Sequence, residues 1–245
     1  MKIIPVIDLM GGVVVYARYG HRSQYCPLQT PLCSSNAPSF VVAAFMSVYP
    51  FETVYIADLD ALMHKGDNSL VIRQLLVQFP DVEFWVDQGA GSLETNAPNQ
   101  RQWVPVIGSE SINDEILPDL LKFYKENNCI LSLDYSQHGF LGAKILCNDE
   151  TYWPKRLILM NLSSVGSQLG PDWIWLERYV RQWPNHVFIA AGGIRNQEDL
   201  ERMAILGIDT ALVASALHFQ KLDGKAIDHL RNPINLVNEG ADAKR

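Results

Sequence analysis

The sequence predicts a single α/β domain, a (β/α)8 TIM barrel, over residues 1–234. Three observations carry this. Eight short runs rich in Val, Ile and Leu are apolar on both faces, the pattern of parallel strands covered on every side. Segments of helical periodicity alternate with them. A chain of 245 residues also matches the length at which one such barrel is commonly complete.

The strand-like runs fall at 3–8, 54–59, 82–87, 103–107, 129–134, 156–161, 186–191 and 210–214. Helical spacing is clear at 69–79, where Leu70, Ile72, Leu75, Leu76 and Phe79 recur every three or four positions, and at 112–126, 172–183 and 196–206. Asn68 and Asn196 stand at N-cap positions, Asn196 with Asp199 three residues on, and Gly207 stands at a C-cap. Trp173, Trp175 and Trp183 have the spacing of helix residues packed on a barrel. Three helical slots are weak, so some helices are expected to be shortened to loops or single turns. Residues 93–102 contain Pro98 and two Asn, 148–155 are few and contain Pro154, and the segment after 215 is interrupted at Gly224. Residues 235–245 are polar and read as a loose tail.

The two halves of the chain resemble each other. Ala57-Asp58-Leu59 matches Met160-Asn161-Leu162, and Val86-Asp87-Gln88-Gly89 matches Ile189-Ala190-Ala191-Gly192, both at a spacing of 103 residues. Ile107-Gly108-Ser109 resembles Val213-Ala214-Ser215 at a spacing of 106. Asp8 and Asp134 lie further apart, and the additional residues of the first half fall between Tyr16 and Pro38. The common spacing points to a half-barrel repeat.

Hydrophobic residues make up 48% of the chain, enough for a substantial core, and the net charge is −7. With no basic stripe, this balance argues against a nucleic-acid partner. It leaves anionic metabolites open, because backbone N–H groups hold phosphates locally. The four Cys show no C-x-x-C spacing and the six His no ligand spacing, so no metal site is expected. No apolar run approaches membrane-spanning length, and Asp8 with Gly11-Gly12 interrupts the apolar start too early for a signal-peptide core. The expectation is a cytoplasmic protein with reduced thiols, binding a small phosphorylated metabolite and neither nucleic acid nor membrane. The oligomeric state stays open.

Asp8 and Asp134 end the first and fifth strands. Barrel chemistry sits at strand C-terminal ends, and a carboxylate there needs a task or a partner. Two such acids suit an acid–base pair if their environments separate their pKa values; capping a turn or pairing with an Arg is the alternative. Gly192 and Gly193, with Ala214 and Ser215, form the best phosphate cradle, at the loops after the seventh and eighth strands. Gly89, Gly108 and Ser109 form a second, repeat-related cradle, beside which Asp87 is unfavourable for an anion. The polar loop 19–28 has the length of a lid, from which Arg22 and Tyr25 would clamp a substrate. Asp58 either faces the site or caps the next turn.

Taken together, Pro5-Val6-Ile7-Asp8-Leu9, Gly11-Gly12-Val13-Val14, Ala57-Asp58-Leu59-Asp60-Ala61, Ser132-Leu133-Asp134, Gly166, Gly170-Pro171 and Ala191-Gly192-Gly193-Ile194-Arg195 resemble the HisA/HisF barrels of histidine biosynthesis. The match runs in order over residues 2–218. The resemblance implies a half-repeat barrel and a substrate with phosphate at both ends, of the phosphoribosylformimino-aminoimidazole carboxamide ribotide kind. It implies an Amadori-type aldose–ketose isomerisation needing no metal or organic cofactor, with acid and base at Asp8 and Asp134. Departures from the family pattern point to a changed substrate. Met160-Asn161 stands where the isomerase has Thr before an acid, Val165 precedes Gly166, and the first phosphate loop reads Gln88-Gly89-Ala90-Gly91-Ser92. The loop around Arg22 and Tyr25 is more similar to HisA-related proteins of archaea and one-carbon-metabolising bacteria. One-carbon cofactor biosynthesis, of the methanopterin or methanofuran type, is therefore the second expectation, and a non-catalytic phosphometabolite-binding barrel the third.

Overall fold

A computed structural model describes residues 1–93 and 102–231. Eight parallel strands form a closed ring: β1 (Lys2–Met10), β2 (Thr53–Asp58), β3 (Glu83–Asp87), β4 (Trp103–Gly108), β5 (Ile130–Ser136), β6 (Arg156–Asn161), β7 (Val187–Ala191) and β8 (Thr210–Val213). Each pairs with its sequence neighbours, and the ring closes where Lys2 to Pro5 of β1 lie beside Thr210 to Val213 of β8. The predicted strands all form, within a residue or two of their expected ends.

Alternation along the strands divides the core in two. Ile4, Tyr55, Trp85, Val104, Val106, Ile130, Ile158, Ile189 and Leu212 fill the barrel interior. The residues between them, such as Ile3, Ile7, Leu131 and Leu133, pack outward under the helices. This parity places the acids. Asp8 shares the inward face with Ile4 and Val6, Asp134 with Ile130 and Ser132, and Asp87 with Trp85. Asp58 is out of phase with the inward Tyr55 and Ala57, and therefore faces the helix layer.

Among the described residues the α-helices of eight residues or more are α1 (Pro38–Val48), α2 (Ser69–Gln78), α3 (Leu117–Glu126), α4 (Trp173–Gln182), α5 (Gln197–Ile205) and α6 (Gly224–Arg231). The third begins at Leu117 rather than 112, because Ser109–Ser111 and the residues after it form turns before Pro118 can sit in the first helical turn. Periodicity leaves α1 unmarked, since its apolar residues are not confined to one stripe; Val41, Val42 and Phe45 are its buried side. The segment after 215 is interrupted, between a one-turn helix at Ser215–His218 and α6, but Gly224 stands at the far side of that break. It opens α6, where Asp223 accepts the Ala226 N–H at 2.8 Å, and an added Cβ would come within 2.8 Å of the Val48 carbonyl.

Asn196 caps α5 as expected, accepting the Asp199 N–H at 3.1 Å, and Gly207 follows that helix at φ +89°. Asn68 does not cap α2 with its side chain, which is drawn into contacts with Asp58, Asp60 and the Gly12 amide. Residues 148–155 hold a single 3-10 turn, Glu150–Tyr152. Most of the weak slot 93–102 and the tail 235–245 lie outside the described residues. Among the described helices none is long and apolar enough to cross a membrane.

Candidate active site

One cavity of about 510 Å³ opens at the C-terminal ends of the strands, within the size range of small-molecule sites. Asp8, Asp134, Arg22, Tyr25, Gly192, Gly193, Ala214 and Ser215 all line it. Tyr55, Asp87, Glu110 and His218 line it too; Asp87 was marked in the sequence only as unfavourable for an anion, and the other three carried no signal of their own.

Asp134 is buried and surrounded by donors. Ser132 Oγ donates to its Oδ1 at 2.6 Å, and the Glu110 N–H and Ser109 Oγ donate to its Oδ2 at 3.2 and 3.4 Å. Its own N–H donates to Ser109 Oγ at 2.9 Å, so the β4–α3 turn and β5 hold the carboxyl from both sides. Burial nonetheless pushes its pKa well above the carboxylate range, helped by the nearby Glu110 and Asp87 charges, so the protonated acid is favoured. The Asp8 carboxyl lies in the cavity wall and accepts no hydrogen bond from a described residue. Desolvation pushes it up to about 7, restrained by the positive Arg22. Near neutral pH one of these two carboxyls is thus suited to give a proton and the other to take one.

The two expected phosphate cradles differ. At the second-half end the N–H groups of Gly193, Ile194 and Ser215 donate to no described residue. Gly192 and Gly193 are required there: both have positive φ, and added Cβ atoms would lie 2.4 Å from the Asn161 carbonyl and 2.5 Å from the Gly170 carbonyl. Arg195, next in the same loop, is folded back in a fork on Asp199 at 2.8 and 2.9 Å.

The first-half cradle is filled by the protein itself. The Gly89 N–H donates to Asp87 Oδ1 at 2.9 Å, and the equivalent donor on the neighbouring loop, Glu110 N–H, is taken by Asp134. Ser109 is fully buried, and Gly108 lies so close to both acids that a Cβ would sit 3.0 Å from Asp134 Oδ2 and 3.3 Å from Asp87 Oδ2. Gly89, Gly108 and Ser109 do not line the cavity, so the structure does not bring them together with Gly192, Gly193, Ala214 and Ser215. Like unit charges 4 Å apart repel by about 4 kcal/mol at the screening typical near a protein surface. Asp87, pushed up by burial to about 6, is largely ionised at neutral pH and would oppose an anion.

The loop around residue 22 does lie over the mouth. The Tyr19 N–H donates to the Val165 carbonyl at 2.9 Å, and Cys26–Pro27 extend the hairpin that leaves β1. Arg22 is not free to clamp a ligand: it forms an ion pair with Glu110 across the mouth. Tyr25 lines the cavity with its phenol pushed up to about 12 by burial and by Asp8.

Asp58 caps the next turn and does not face the cavity. Fully buried, it accepts from the Ala61 N–H at 3.3 Å, the Asn68 N–H at 2.8 Å, Asn68 Nδ2 at 2.7 Å and Gln88 Nε2 at 2.9 Å. Its repeat counterpart Asn161 caps in the same way, accepting the Ser163 N–H at 3.1 Å. Asp58→Ala strands several buried donors, each worth about 1–3 kcal/mol when left unpaired. We expect a loss of roughly 3 kcal/mol, a melting temperature lower by about 6–12 °C, and unchanged turnover of the folded fraction. Thermal unfolding with an activity assay separates this from a substrate-binding role, which would lower turnover or raise KM.

A family model described as "Histidine biosynthesis protein" matches residues 2–223. An uncharacterized protein of Methanocaldococcus jannaschii is 33% identical over 232 residues, covering 91% of this chain and 96% of the relative. The 1-(5-phosphoribosyl)-5-((5-phosphoribosylamino)methylideneamino) imidazole-4-carboxamide isomerases of Thermus thermophilus and Nitrosopumilus maritimus are 25% and 27% identical. These alignments cover 89% and 96% of this chain and 94% and 100% of those relatives.

Proposed function

The chain belongs to the histidine biosynthesis protein family, and from that premise we propose that it is an acid–base isomerase of the aldose–ketose, Amadori type acting on a phosphorylated ribosylamine. The observation that carries this reading is the pair of carboxyls, Asp8 and Asp134, on opposite sides of one cavity in environments that favour different protonation states. Asp134 gives its proton to the ring oxygen of the sugar. The C1–O bond breaks as the nitrogen lone pair forms a C=N bond. Asp8 removes the C2 proton, and the resulting enaminol takes a proton at C1 while its C2 hydroxyl gives one up, forming the C2 carbonyl of the aminoketose. Every step is a proton transfer or a shift of bonding electrons within the substrate. The free amides near Gly193 and Ser215 support holding the sugar's phosphate.

Two features favour a substrate other than that of the named relatives. Met160-Asn161 stands at the end of β6, and the first-half cradle is filled by Asp87 and Asp134. A divergent enzyme acting on another phosphorylated metabolite is the second reading. The test is conversion of the relatives' imidazole-carboxamide substrate by purified protein, together with rescue of a strain lacking that isomerase. Turnover that disappears in Asp134→Asn supports the proposal. A folded protein that leaves that substrate untouched but isomerises another phosphoribosylamine supports the second reading, and inactivity on every such amine defeats both.

A further inference from the structure

Residues 20–25 cross the cavity mouth between two moorings, the Tyr19 N–H on the Val165 carbonyl at 2.9 Å and the Leu28 N–H on the Val14 carbonyl at 2.8 Å. Inside that span a 3-10 turn, Arg22–Gln24, is closed by its own backbone. The Gln24 N–H donates to the His21 carbonyl at 2.9 Å and the Tyr25 N–H to the Arg22 carbonyl at 3.3 Å. Among the described residues one hydrogen-bonded contact ties this span to the opposite wall, the ion pair of Arg22 with Glu110, 88 residues away.

Glu110 holds two things at once. Its carboxylate takes Arg22, and its N–H donates to Asp134 Oδ2 at 3.2 Å. It is the middle residue of the turn Ser109–Ser111, whose Ser109 Oγ also meets that Oδ2 at 3.4 Å and accepts the Asp134 N–H at 2.9 Å. A displacement of Glu110 therefore carries an Asp134 donor with it. Charge runs along the same line. Burial pushes both acids up; Glu110 and Asp87 push Asp134 further, while Arg22 restrains Asp8. The Tyr25 and Tyr55 phenols also face these acids, and burial keeps both in the neutral form.

We propose that the Arg22–Glu110 pair is a latch that holds the lid shut across the mouth, and that Glu110 is a positioning residue through which closure reaches Asp134. Opening the lid to admit a ligand parts Arg22 from Glu110 and leaves an unpaired charge beside Asp134, so the lid and the acid change state together. What Asp134 does in the site rests on the acid–base reading of the cavity; the latch is measurable with no substrate present.

Amide hydrogen exchange and carbon-13 NMR of the aspartate carboxyls on the full chain test it, with Asp8→Asn and Asp134→Asn assigning the two resonances. In Arg22→Gln and in Glu110→Gln the amides of residues 20–25 should exchange roughly three- to tenfold faster, the worth of one partly exposed charge-assisted contact. The double variant should be no faster than either single one, because both remove the same contact. Arg22→Lys, which keeps the charge, should recover most of the protection. At the acids the single variants should differ. Glu110→Gln should lower the Asp134 titration by roughly one pH unit, whereas Arg22→Gln should leave it no lower and raise that of Asp8. Unchanged exchange in both single variants would overturn the latch. Faster exchange with an unmoved Asp134 titration in Glu110→Gln would overturn the link from lid to acid. Normal turnover by Asp134→Asn, beside the expected exchange and titrations, would remove the acid–base reading and leave the latch standing. Circular dichroism identifies a misfolded variant, and the substitutions on either side of the pair keep the comparison decisive.

Discussion

Asp134→Asn and Asp8→Asn are each expected to reduce turnover by about 100- to 10,000-fold, the usual worth of a positioned acid or base, without loss of the fold. The two lesions should be distinguishable. In the wild type, activity should rise with pH through about 7 as Asp8 ionises, and fall at higher pH as Asp134 gives up its proton. Stability offers an independent check on Asp8. Its ordinary value of 3.8 is raised to about 7 in the folded protein, so between those values the native state binds more protons than the unfolded state. The stabilisation from its protonated form is complete below about pH 4 and is lost as pH rises through about 7. Asp8→Asn, which cannot ionise, should therefore melt above the wild type at pH 8 and lose that advantage toward pH 4. Near-normal turnover in either variant would sink the acid–base pair; identical melting of Asp8→Asn and wild type at both pH values would sink the account of Asp8 as a desolvated carboxyl.

Gly142→Ala should be the most damaging single methyl group in the described chain. Gly142 follows the short hairpin after β5 and has φ +105°. An added Cβ would lie 1.9 Å from the Ser109 carbonyl oxygen and 2.7 Å from its carbon, and backbone atoms cannot turn aside as a flexible side chain would. Strain of about 1–3 kcal/mol from the positive φ adds to an overpacking cost of similar size, for a total near 4 kcal/mol. In melting temperature that is a drop of about 8–16 °C. The damage should reach the site, because Ser109 Oγ holds both the N–H and the Oδ2 of Asp134. Gly139→Ala is the control: φ is +107° but nothing lies within 4 Å of the added atom, so only the conformational part applies. Equal destabilisation by the two substitutions would refute the close approach of Gly142 to Ser109 as the cause.

Much of the fold was legible in local pattern. The ends of all eight strands and the cap at Asn196 follow from alternation, periodicity and capping chemistry, which act over a few residues. Legibility failed where a side chain had a better distant partner than the local one, as when Asn68 left its helix to join Asp58 and Asp60. The role of Asp58 was readable in principle: it alternates out of phase with Tyr55 and Ala57, and an outward carboxylate at a strand end belongs to the helix layer. Glu110 offered no comparable signal, since nothing in its neighbours says that its amide would meet Asp134 and its carboxylate Arg22.

The sequence by itself determined the barrel, its half-repeat and the inward direction of Asp8 and Asp134, because strand formation and side-chain parity are local properties of the chain. Only the tertiary structure decided which of two look-alike glycine loops keeps its amides free. Closing the ring brought Asp134 onto the Glu110 amide 24 residues away and set Arg22 against Glu110 across 88 residues. Contacts over such separations depend on how loops from different strands meet above the barrel, and no periodicity within any one of them encodes that meeting.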